Sequence, residues 1–150
     1  MNTPLWLWLC LSWHMPVYVT AVLLLTVAVV WAVLRLCPDV PNRGAWFRQG
    51  LRAACPGALI AQVIGFVSMS LILMEGDVDL AISLRQTAYG SFSVFRVPLC
   101  CFAVSFLVLY GFCRYGGYRN LPTDSLTRNV AAVVTALIAS PWVILLPICL

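Results

Sequence analysis

RLCPDVPNRGAWFRQGLRAACP, residues 35–56, decides how this chain is read. It carries Arg35, Arg43, Arg48 and Arg52 against a single acid, Asp39, and it separates two long apolar blocks. A short arginine-bearing island between two runs of spanning length reads as a cytoplasmic loop with a membrane helix on either side.

The whole chain agrees with that reading. Of its 150 residues 63% are hydrophobic and 9% charged, far from the composition of a soluble globular domain, so an integral membrane protein is expected. The net charge of +4 comes entirely from arginine. Because these arginines sit beside apolar runs, they are a topology signal, and no nucleic-acid partner is expected.

On the N-terminal side of the island, residues 17–36 form a continuous apolar run after Pro16, a residue suited to the first turn of a helix. Residues 5–15 are too short to span about 30 Å of hydrocarbon, and Trp6, Trp8 and Trp13 suit the headgroup level. They predict an interfacial segment, with no cleavable signal pattern. On the C-terminal side, residues 57–74, 97–113 and 130–150 are the next three spans, with a beginning near Phe92 open for the third. The expected fold is all-α: one transmembrane domain, a four-helix bundle preceded by the interfacial segment. Pro141 falls inside the fourth span, where it should disturb the helix and free a carbonyl that a neighbour must satisfy.

Within the island, residues 44–55 have helical spacing. Trp46, Phe47, Gly50, Leu51 and Ala54 share one side, and Arg48 and Arg52 the other, which predicts a short helix on the membrane surface. Trp46, Arg48 and Arg52 are the candidate lipid-contacting residues. Arginine counting orients the chain. Arg35, Arg43, Arg48, Arg52, Arg114, Arg119 and Arg128 lie in the first and third polar segments, and only Arg85 and Arg96 in the second. This places the first and third loops in the cytoplasm and both termini outside, as in a bacterial inner (plasma) membrane.

Small residues recur at helical spacing as Gly57, Ala61, Gly65 and Ser68, and again as Ala132, Ala136 and Ser140. Such stripes let helices approach closely and are candidates for packing inside the bundle or against a partner helix. Gln62, on the same span, is polar enough to require a hydrogen-bond partner. Residues Cys10, Cys37, Cys55, Cys100, Cys101, Cys113 and Cys149 form no C-x-x-C pair. Glu75, Asp77 and Asp79 read as a solvated cap with too few further oxygens for a calcium loop. Neither cofactor nor metal is expected.

The sequence thus contains no constellation that names a reaction. The expected function is non-catalytic: an accessory, assembly or immunity-type subunit docking to another integral membrane protein, or associating with itself. The alternative is a small oligomeric transporter or channel, with a path lined by Gln62, Ser68, Ser70, Thr135 and Ser140.

Overall fold

The computed structural model describes residues 15–37, 40–75 and 92–145. The expected interfacial segment, Asp39, Asp77 and Asp79, His14, Cys10, Cys149 and the acidic second loop lie outside the described residues.

Among the described residues there are four α-helices: α1, Met15–Leu36; α2, Arg43–Glu75; α3, Phe92–Gly111; and α4, Ser125–Ala139. A π-helical segment, Phe112–Gly117, extends α3, and a 3-10 turn, Trp142–Leu145, follows α4. No strand occurs among the described residues. Three stretches, Met15–Leu36, Arg43–Leu71 and Phe95–Gly117, are long and apolar enough to cross a membrane, which makes this a membrane protein.

The helices follow one another around a ring. α2 packs on α1 and α3, α4 closes the ring against α1 and α3, and α2 and α4 stand nearly opposite. The register is set by close approaches. Gly50 of α2 meets Val30 of α1, Gly57 meets Leu109 and Phe112 at the end of α3, and Gly65 meets Ser105 of α3 together with Pro141 and Ile144. The core between them contains Val30, Leu34, Ala54, Ala58, Ala61, Leu109, Ala132 and Ala136, all buried.

Two expectations require correction. Residues 44–55 are not a separate surface helix but the first turns of α2, which runs unbroken through Pro56. The facial split is as expected, since Gly50 and Ala54 are buried and Arg48 and Arg52 exposed. The apolar face, however, meets the core, with Trp46, Phe47 and Leu51 packed against it, and the helix therefore has no reason to turn onto the membrane. The exposed Pro56 costs the backbone bond that its missing N–H would have donated, and burial of Ala53, Ala54, Gly57 and Ala58 on either side keeps the helix continuous.

The second correction concerns the fourth span. α4 begins at Ser125, earlier than expected, and its 15 residues stop at Ala139. Ser140 is extended, with φ −67° and ψ 160°, because the ring of Pro141 excludes the preceding residue from helical geometry. The disturbance expected at Pro141 is a full break. By length α4 is short of the roughly 20 residues that a spanning helix needs.

Candidate membrane-surface site

The link from α1 to α2 turns at Asn42, whose φ of 48° lies in the left-handed region that asparagine tolerates better than most residues. Its carbonyl accepts from Ala45 N at 2.9 Å and opens α2. This sharp return places the end of α1 beside the first turns of α2, and arginines from both helices come together there.

Between them is an open cavity of about 470 Å³, lined by Trp31, Leu34 and Arg35 from α1 and Arg43, Gly44 and Phe47 from α2. The Arg35 guanidinium lies 4.7 Å from the Trp31 ring centroid, in cation–π contact. A second recess of about 330 Å³, on the outer face of α2, is lined by Ala45, Arg48, Gln49 and Arg52. Among the described residues, neither lining includes a carboxylate. The Val30–Gly50 contact sets Arg52 roughly 10 Å further along the bundle than Arg35, at 1.5 Å per residue. An arginine at that depth reaches headgroups by extending along the protein surface.

The arginines of the 112–128 region make contacts within the chain. Arg114 Nε donates to Asn129 Oδ1, and its guanidinium lies 5.9 Å from the Tyr115 ring. Arg128 Nη1 donates to the Arg119 carbonyl at 2.7 Å. These bonds hold the link onto the start of α4. Tyr118, buried at its centre, places its hydroxyl 3.0 Å from Thr135 Oγ1. The Thr135 proton is committed to the Ala131 carbonyl, so Tyr118 is the donor. Burial pushes the Tyr118 phenol above its usual range, with the Thr135 bond opposing. Sequence reasoning missed Tyr118, because it sits among glycine and arginine in a stretch that otherwise reads as an exposed loop.

The small-residue stripe falls within the chain. Gly57, Ala61, Gly65, Ala132, Ala136 and Ser140 are all buried in the bundle, and Ser68 is half-buried. A Cβ at Gly57 would come within 2.7 Å of the Phe112 Cβ, so this approach to α3 is already at its limit. The stripe is therefore occupied and does not offer a free face to a partner helix. Gln62 finds its partners internally as well. Its Oε1 accepts from the Tyr18 hydroxyl at 2.7 Å, and its Nε2 donates to the Ala139 carbonyl at 3.4 Å.

No group of three or more His, Cys, Asp or Glu side chains suited to a metal ion occurs among the described residues. Cys101 and Cys113 are buried, while Cys100 is exposed. The site and fold define an all-helical membrane protein with a cationic, aromatic-lined recess at one end of the bundle. Comparison with protein families, with curated proteins and with solved structures gives no match.

Proposed function

We propose that this chain is a small non-catalytic multi-pass membrane protein, an accessory, assembly or immunity-type subunit that docks to another integral membrane protein. The observation that carries this reading is the use made of the buried polar side chains. Thr26, Ser105, Thr135 and Ser140 each donate to the carbonyl one helical turn back, and Gln62 bridges Tyr18 and Ala139. Catalytic and conducting centres keep such groups available to a substrate or ion. Here four are spent on local bonds to their own helix and Gln62 on a bridge between helices, which leaves the outer surface as the working part.

That surface is broad and apolar. Val63, Val67 and Leu71 on α2, Val104 and Leu107 on α3, and Val130, Val133 and Leu137 on α4 are exposed and suited to lipid or to a partner's helices. The stripe residues are packed internally, so docking runs through these larger side chains. The arginine distribution supports cytoplasmic links at 37–42 and 118–124 in a bacterial inner membrane, with both termini outside.

Purification of the tagged protein from its native membrane in mild detergent, with mass determination, tests the proposal. The expected result is a larger membrane protein at fixed stoichiometry. A homogeneous oligomer of this chain alone overturns it in favour of an oligomeric transporter or channel, whose path would run between copies.

A further inference from the structure

We propose that the recess formed by Arg48, Gln49 and Arg52 on the outer face of α2 holds the phosphate headgroup of an anionic phospholipid, whose acyl chains lie along the exposed apolar stripe that continues from it. With Ala45 these side chains line an open space of about 330 Å³. Both arginines are exposed, and among the described residues neither has a hydrogen bond, an ion pair or a ring contact. Their surroundings leave the charge uncompensated. Arg48 and Arg52 stand about 140° and 180° around the helix from Arg43, at 100° per residue, and so face away from the link that joins α1 to α2. Of the described acids, Asp124 caps α4, which lies nearly opposite α2, and Glu75 closes α2 about 35 Å from Arg52 at 1.5 Å per residue. Two guanidiniums one turn apart each offer a fork that matches phosphate oxygens in geometry as well as charge, and the Gln49 amide beside them adds a further donor.

Depth and continuity favour a lipid over a free anion. The rise of about 35 Å from Arg52 to the end of α2 slightly exceeds the roughly 30 Å of a bilayer's hydrocarbon, which sets Arg52 at one edge and Arg48 about 6 Å beyond it. On the hydrocarbon side of Arg52, the exposed residues Pro56, Leu59, Ile60, Val63 and Val67 recur every three to four positions and continue the same face. The rise from Arg52 to Val63 is about 17 Å, close to the depth of one leaflet. A phospholipid lying on this face therefore meets guanidinium at its phosphate and apolar side chains along its tails. Arg52 can lay its methylene stem on the stripe and keep its charged end at the boundary. A soluble anion would use the polar end of the surface and leave the stripe unused. The inference is independent of partner docking and can be tested on the purified chain.

The experiment is native mass spectrometry of the detergent-solubilised protein titrated with phosphatidylglycerol, with phosphatidylcholine and with inorganic phosphate. Wild type is expected to retain phosphatidylglycerol in preference to the other two. In Arg48→Gln/Arg52→Gln, affinity for phosphatidylglycerol should fall about thirtyfold, at roughly fivefold for each arginine near a membrane surface. Arg35→Gln/Arg119→Gln, which removes the same charge from two other exposed positions, should fall much less. Equal losses in the two double variants would show diffuse surface charge and overturn the site. Equal retention of the two lipids would also overturn it, and binding of inorganic phosphate as tight as that of lipid would overturn the lipid assignment. Helicity by circular dichroism, expected to match wild type, separates loss of the site from loss of fold. Gln49→Glu supplies an independent variant: it sets a negative charge in the recess and an ion-pair partner one turn before Arg52, so it should keep the helix and weaken lipid binding about fivefold. Undiminished binding in that variant would overturn the proposal.

Discussion

Tyr18 of α1 and Gln62 of α2 are joined by a 2.7 Å hydrogen bond, and Gln62 continues to the last carbonyl of α4, that of Ala139. One side chain thereby ties three helices. The Ala139 carbonyl is open because Pro141 ends the helix, and two more terminal carbonyls are caught locally, Ala136 by Ser140 Oγ and Leu137 by Trp142 Nε1. In lipid no water is available for these carbonyls, so the break at Pro141 requires this set of donor partners.

Gln62→Leu removes both bonds and leaves the Ala139 carbonyl without its side-chain donor. It should cost about 1–2 kcal/mol, and Tyr18→Phe, which removes one bond, about half as much. Unfolding in mixed micelles by SDS titration measures both. A double-mutant cycle with a coupling near zero would show that the bond contributes nothing to stability.

Much of this was legible in the sequence, for identifiable reasons. α1 and α3 announce themselves because lipid demands long apolar runs, and Gln62 announces a partner because an amide is costly in hydrocarbon. The break at Pro141 was legible as a disturbance, since its ring acts on Ser140 directly. The continuity of α2 through Pro56 was not, because it depends on the burial of Ala53, Ala54 and Gly57 against other helices, and tertiary packing overrides a local breaker. The pairing of Arg35 with Arg43 across one cavity was equally hidden. Each arginine is visible in the sequence as a topology signal, whereas their meeting depends on the turn at Asn42.

Gly57 and Gly111 make a matched pair of glycine tests. At Gly57 an added methyl would meet the Phe112 Cβ at 2.7 Å and Leu109 Cδ1 at 3.1 Å, and a β-carbon cannot swing aside as a side-chain tip does. Gly57→Ala should therefore push α2 from α3 and cost about 1–3 kcal/mol. At Gly111 nothing lies within 4 Å. Gly111→Ala should be neutral or gain up to about 1 kcal/mol from reduced backbone entropy of the unfolded chain. The same SDS titration reads both, and equal behaviour of the pair would contradict the close α2–α3 approach.

Adjacent Cys100 and Cys101 point about 100° apart on α3, as helical geometry requires. Cys100 is exposed and Cys101 is 4% exposed. A lipid-soluble maleimide should label Cys100 at least roughly tenfold faster than Cys101 or the fully buried Cys113. Cys37 should also be slow, since burial pushes its thiol above the usual range, with Arg43 opposing and Asp124 reinforcing the rise. Peptide mass spectrometry after timed labelling resolves each position. Comparable rates at Cys100 and Cys101 would mean that α3 is rotated from the orientation described.

Asp124 caps α4, with its Oδ2 accepting from Thr127 N at 3.4 Å. Hydrogen bonding from Thr127 holds this carboxyl below its ordinary value of 3.8, slightly opposed by desolvation. A lowered value in the folded state means that the unfolded chain binds the proton more readily. The contribution of the cap is therefore present above the ordinary carboxylate value and is lost as pH falls through the lower folded one. Asp124→Ala should lower the melting temperature at neutral pH and shrink the loss on acidification. Asp124→Asn, which retains a good cap without a titrating group, should keep most of the neutral-pH stability and flatten the acid limb. Thermal unfolding followed by circular dichroism from about pH 6 to about pH 2 covers the transition. An alanine variant that melts like wild type throughout would show that Thr127 and the α4 N-terminus do not depend on this carboxylate.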